Sequence, residues 1–263
     1  MCKKLSIILL AIAGISLLQA QTTTDFPKME FGVQGGPGGS VFFNERPMLN
    51  PRNSKRPIYN GGMAGAGFQY NFTKMAALRV EANYEQKGDV YYSIYGYDNA
   101  NTFRESYAFD RTRNINIPVT ARLSFGRNVR FFVNAGMYAG VQVHSQRIIS
   151  NVTYTPVIDV VLGDQTTTEN ISKDVTRGDA GVVAGLGVFL PIGSRAAFTI
   201  EARNNTGFIN QNAGTGLYQN KFYNTNTMLL MGITFALDKP FPKLERRYKK
   251  VKQEPVREIE QRY

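Results

Sequence analysis

Leu78-Arg79-Val80-Glu81-Ala82-Asn83-Tyr84-Glu85 is apolar at every even position and polar at every odd one. Side chains of an extended strand point to opposite faces in turn, so this segment carries one greasy face and one charged face. The same period of two recurs along the chain. From Ile115 to Phe125 the odd residues are apolar. From Val129 to Met137 the rhythm continues, with Phe132 as an apolar residue on the polar face. Ala196 to Arg203 repeats it. Four softer segments follow the same rule, around Met29–Gln34, Ala66–Phe72, Val182–Phe189 and Leu229–Leu237. Eight strands are therefore expected. Glycines crowd the second face of the first, second and sixth, as a narrow barrel interior demands.

The connections alternate in length. Thr73-Lys74, Gly126-Arg127-Asn128 and Gly193-Ser194 are tight hairpin turns. Asn44 to Asn60, Gly88 to Ala108, Gln146 to Gly178 and Thr206 to Asn224 read as long polar loops. Alternation of short and long is the order of a transmembrane barrel with short periplasmic turns and long outer loops. Pattern alone does not say whether water or lipid lies outside, because a soluble lipocalin-like barrel alternates too. The turn asymmetry favours lipid, and so do the aromatic strand ends. With no Trp, 14 Tyr and 17 Phe are left to form the interfacial girdles.

The N-terminus agrees. Lys3 and Lys4 precede an apolar run from Leu5 to Leu18, and Ala20 offers a cleavage site, so residues 1–20 read as a signal peptide rather than an uncleaved anchor. The run is shorter than the about 20 residues of a membrane helix. Cys2, the only cysteine, lies before it. Processing leaves residues 21–237 as a cysteine-free barrel, without disulfides or thiolate chemistry. The formal charge of +11 falls by the two lysines to +9. In an exported protein that balance points to lipopolysaccharide or an acidic partner, not to nucleic acid.

Asn116-Ile117-Pro118-Val119 resembles the Ile-Pro-Leu segment of the PorT-type outer-membrane β-barrel family of Bacteroidetes, and Ala180-Gly181-Val182-Val183-Ala184-Gly185-Leu186-Gly187 resembles its glycine-rich later strand. The resemblance covers about Phe31 to Leu237. It implies an eight-stranded antiparallel up-and-down barrel like OmpX and the OmpA membrane domain, mostly among uncharacterised surface proteins. PorT itself is linked to type IX secretion, a role that a family-level match does not carry over. Pro118 inside a strand leads us to expect a bulge or a missing ladder bond.

Candidate sites follow from face and position. Arg79, Glu81, Glu85, Arg122, Arg130, Glu201 and Arg203 share the polar face. Inside a membrane barrel they form a lumenal charge network, and eight strands leave just enough room for side chains to plug it. An ion path is the competing reading. His144, the sole histidine, falls by parity on the lumen side with Arg130, Asn134 and Tyr138; a hydrolase would pair it with Ser145, but strand neighbours face opposite ways. With one histidine and no mature cysteine, no metal or cofactor site is expected. Tyr91, Tyr92, Tyr95, Tyr97, Phe103 and Tyr107 make one loop aromatic, and Arg52, Lys55 and Arg56 make another basic. Residues 238–263 form a basic tail in which Leu244, Tyr248 and Val251 recur at helical spacing among Arg246, Arg247, Lys249 and Lys250, with Pro255 interrupting. We expect a periplasmic segment that meets an acidic or secretion-machinery partner, or else a solvated tail. The sum is a non-enzymatic envelope protein, with a secretion accessory, a narrow pore and a hydrolase as alternatives.

Overall fold

The computed structural model describes residues 26–43, 58–98, 102–126, 129–155, 160–217 and 220–241. The expected signal peptide, the tail residues Leu244 to Val251, and Arg52, Lys55 and Arg56 lie outside the described residues. So do the side chains of Tyr91, Tyr92, Tyr95, Tyr97 and Phe103.

Among the described residues nine strands form: β1 (Met29–Phe43), β2 (Tyr59–Asn71), β3 (Ala76–Asp98), β4 (Thr102–Phe125), β5 (Arg130–Thr155), β6 (Val160–Asn170), β7 (Gly178–Pro191), β8 (Ala196–Gly207) and β9 (Tyr223–Ala236). All pairings are antiparallel. The order β4-β3-β2-β1-β9-β8-β7-β5 closes on itself through β4–β5, so eight strands make a barrel. Closure matters because each unpaired backbone group facing hydrocarbon costs on the order of several kcal/mol.

The ninth strand is a correction to the expected loop map. β6 stands outside the barrel and pairs only with the far half of β5, from Gln146↔Asn170 to Thr155↔Val160. The expected loop from Gly88 to Ala108 is likewise not a loop: β3 and β4 stay paired through Asp98↔Thr102. β3, β4 and β5 are thus 23, 24 and 26 residues long. A membrane strand needs about 9–11. The surplus forms a four-stranded sheet, β3-β4-β5-β6, that projects from the long-loop end.

Apolar residues point outward and polar ones inward, the inverse of a water-soluble barrel. Leu186 is 66 % exposed and Met137 59 %, whereas Arg122 is 2 % and Glu85 0 % exposed. On β5 the outward apolar series runs from Phe131 to Val143. At about 3.3 Å per residue and a tilt of about 40°, it spans about 30 Å of height, one hydrocarbon core. Aromatic residues mark the short-turn end, where Phe31, Tyr70, Phe72, Phe125, Phe131 and Phe235 are all exposed.

Two prolines show how the ladder absorbs a missing donor. At Pro118 no bulge forms. The β3–β4 register runs from Val80↔Val119 to Asn83↔Asn116 with the intervening rungs absent, while Pro118↔Tyr138 on the β5 side is kept. Pro37 does the same between Gly35↔Met231 and Gly38↔Met228. Gly35-Gly36-Pro37-Gly38-Gly39, which by composition resembles a strand end, is therefore the middle of β1. Its inward Gly38 leaves room for Met228, whose Cγ would lie 2.6 Å from a Cβ there.

The short turns explain the other end. Thr73 Oγ1 accepts the Met75 and Ala76 amides at 3.1 and 2.9 Å, and Gly126 adopts φ +105°, which suits glycine. β1 begins and β9 ends at this end, where Leu237 N donates to Met29 O (2.9 Å). Asp238 clasps the start of the chain by accepting the Lys28 amide (3.0 Å) and the Met29 amide (3.2 Å). Slight burial favours its neutral acid, but the Lys28, Lys239 and Met29 amides outweigh that and hold its carboxyl below the usual carboxylate range. A depressed folded pKa stabilises above the unfolded value, about 3.9, and the benefit disappears as pH falls through the folded value. Amide exchange at Lys28 and Met29 should accordingly be slower in the wild type than in Asp238→Asn at pH 7. The difference should shrink below about pH 4. A difference that persists unchanged in acid would show that the clasp is not the carboxylate.

Candidate functional site

The lumen is filled in layers from end to end. At the short-turn end Phe132, Phe189, Ala197, Ala236 and Phe241 form an apolar stopper. Phe241 lies beyond the last strand and folds back, its amide donating to Ser194 O (2.7 Å). The Arg130 guanidinium stands over Phe189 at 4.1 Å, and that of Arg122 over Phe132 at 3.9 Å. Phe132, the break in the β5 rhythm, thus serves as a platform for a cation. Beside them Glu30 takes hydrogen bonds from Asn71 (2.7 Å) and Gln69 (3.3 Å).

Glu81 is the hub of the next layer. It receives two bonds from Arg203 (2.6 and 2.9 Å), one from Arg79 (2.5 Å), one from Gln34 (2.9 Å) and one from Asn83 (2.8 Å). Arg203 also donates to Glu201 (2.7 Å), and Glu201 lies 3.6 Å from Arg122. Arg79, Arg203 and Arg122 are therefore set against Glu81 and Glu201 in this layer. Fork-shaped guanidinium–carboxylate pairing of this kind is the arrangement that offsets the cost of desolvating both ions.

The structure brings Arg79, Glu81, Arg122, Glu201 and Arg203 into one network. Arg130 is stacked apart on the phenylalanines. Glu85 stands apart too, across the β2–β3 ladder from Met63, which clusters with Met228 and Leu230. Its carboxylate is held by the side-chain amides of Asn116, Asn205 (3.4 Å) and Asn226 (2.6 Å), with no cation among the described residues. Among the described residues the amide oxygens of these three asparagines meet no donor.

A separate ion pair, Lys87 with Asp179, lies toward the long-loop end. Asn224 accepts from Lys87 at 3.1 Å, and Tyr138 and Gln211 donate to Asp179 at 3.3 Å each. Over it lies an apolar lid: Phe42, Ile171, Val175 and Phe222, with Leu217 packed against them. Sequence reasoning missed Lys87 and Asp179, because each was assigned to the margin of a loop. Glu30 and Gln34 were legible as alternate positions of β1, on the same parity that exposes Met29, Phe31 and Val33.

His144 is corrected by a bulge. The β4–β5 register passes from Asn114↔Gln142 to Arg113↔His144, which leaves Val143 as an extra residue. One extra residue inverts the parity that follows. Ser145 therefore turns inward, fully buried against Thr112 (2.9 Å), while His144 faces outward beside Arg113 and meets Gln146 at 3.2 Å. Arg147, inward after the bulge, grips Asp110 with two bonds of 2.6 and 2.7 Å.

An inverted, closed, eight-stranded barrel with charges inside and an apolar girdle outside is an integral protein of the outer membrane of Gram-negative bacteria. The chain belongs to the family whose description is Outer membrane protein beta-barrel domain, matched over residues 19–211. Three solved structures are similar in fold. Ail, the attachment invasion locus protein of Yersinia pestis, is 12 % identical, over 79 % of this chain and 99 % of its own, with a TM-score of 0.35. OprG from Pseudomonas aeruginosa is 10 % identical, over 80 % and 97 %, with a TM-score of 0.40. Neisserial surface protein A is 14 % identical, over 79 % and 97 %, with a TM-score of 0.36. No curated protein matches the chain.

Proposed function

We propose that this protein is a non-conducting, non-enzymatic interaction protein of the cell envelope, oriented with its long-loop end outside the cell and both termini in the periplasm. The lumen supports this reading. Among the described residues it is packed, between two apolar clusters, with ion pairs and with carboxylates held by side-chain amides, which supports a closed lumen. The projecting β3-β4-β5-β6 sheet is then the exposed working part, with the aromatic-rich β3–β4 hairpin at its far end. Lipopolysaccharide is the expected surrounding partner.

Two measurements test the reading together. Planar-bilayer recording of the folded protein should show no unitary conductance. In whole cells a membrane-impermeant maleimide should label a cysteine placed at Ser150 or Gln165, since processing removes the only native cysteine. Stable channels, or labelling only after the outer membrane is opened, would defeat it.

A secretion-accessory role like that of PorT is the second reading. The anchoring of Asp238 and Phe241 at the barrel mouth favours it, because a tail that starts from a fixed point is well placed to dock a periplasmic assembly. Removing residues 242–263 while keeping that anchor should then lower protein secretion without loss of the barrel.

A further inference from the structure

The bulge that turns His144 outward also opens a groove in the barrel wall. At Val141↔Gly178 β5 still has β7 as neighbour, and at Gln146↔Asn170 it has acquired β6. Between these rungs the segment from Ile171 to Arg177 lies against β5 and is fastened there. Gln142 N donates to Arg177 O (2.7 Å), Ile171 N to Ser145 O (3.0 Å) and Ser145 N to Ser172 Oγ (2.9 Å). With its amide nitrogen on the Val175 and Thr176 carbonyls (3.0 and 3.2 Å), Gln142 takes the Ser145 hydroxyl on its oxygen (2.8 Å). The result is a pre-formed groove of about 740 Å³.

Its two sides differ in chemistry. Val141 and Val143 lie on one side, 56 and 55 % exposed, and are the last apolar rungs of the lipid-facing series on β5. Lys173 and Arg177, both exposed, lie on the other. Among the described residues no carboxylate lines the groove and neither cation enters a salt bridge. The next rung on the same outward face is Arg113↔His144. The groove therefore straddles the level at which hydrocarbon gives way to charge.

We infer that this groove binds the phosphorylated headgroup of an outer-leaflet glycolipid, with Lys173 and Arg177 on a phosphate and Val141 and Val143 against the first methylenes of an acyl chain. A free anion has no use for two exposed valines. An acidic protein would have to displace lipid from them. A lipid that carries phosphate at its top and methylenes below matches both sides at once. The inference rests on the orientation proposed above, which the Ser150 label tests separately.

Folded protein in phosphatidylcholine nanodiscs, titrated with diphosphoryl lipid A and read by native mass spectrometry, should retain one lipid A. The Lys173→Ala/Arg177→Ala variant should bind it about tenfold more weakly, the loss expected for charge-assisted phosphate contacts. Lys173→Arg/Arg177→Lys should keep most of the affinity. Both variants should retain the heat-modifiable gel shift of a folded barrel, since both side chains are exposed. Equal retention by the alanine variant would overturn the inference. So would displacement of lipid A by millimolar inorganic phosphate, or equal retention of phosphatidylglycerol.

Discussion

Glu81→Gln should destabilise the barrel by about 3–5 kcal/mol, because it strips a buried carboxylate from both arginines, leaving Arg79 without its ion pair and Arg203 with Glu201 alone. Glu85→Gln, four residues further along the same strand, should change stability by no more than about 1 kcal/mol. The two residues share strand, face and burial but differ in what holds them. Glu81 is gripped by two cations, whereas Glu85 is held by neutral amides. The glutamine at position 85 keeps an acceptor for those amides and adds donors for asparagine oxygens that now have none. Reversible urea unfolding in phospholipid vesicles measures both. Equal losses would mean that the ion pairs contribute no more than generic hydrogen bonding.

The second large effect concerns space rather than charge. A Cβ at Gly185 would lie 2.6 Å from Glu201 Oε1 and 3.3 Å from the Ala202 carbonyl. Gly185→Leu therefore has to push Glu201 away from Arg203 and Arg122, adding loss of pairing to overpacking. We expect a cost of about 3 kcal/mol or more by the same unfolding measurement. Gly178→Ala, where an added Cβ meets nothing within 4 Å, should stay within about 0.5 kcal/mol. Inward glycines of this barrel are thus the complement of their neighbours' side chains: Gly67 makes room for Glu81 as Gly185 does for Glu201.

The barrel was legible wherever hydrocarbon forces a choice between faces. Leu78 to Glu85 alternates because one side meets lipid and the other meets Arg203. Which charge meets which was not legible. Arg203 and Glu81 are 122 residues apart, and their encounter depends on the stagger of the closed sheet. β6 was invisible for the opposite reason. It lies beyond the apolar band, and from Gln165 to Asn170 every residue is exposed, so Thr166-Thr167-Thr168 needs no alternation to form a strand. Parity failed at His144 because a single extra residue, Val143, is silent in the residue pattern yet turns everything after it. Gly35 to Gly39 misled because glycine and proline are common punctuation elsewhere, whereas here they make room within β1 for Met228.

β4 and β5 run without interruption from the lipid-facing wall to the far end of the projecting sheet. Traction applied at that tip is therefore passed straight down two continuous strands to a closed ring that cannot unzip from an edge. Many ladder bonds share such a load side by side instead of parting one after another. A pull on the projection is thus borne by the barrel wall as a whole, so the two move as one piece.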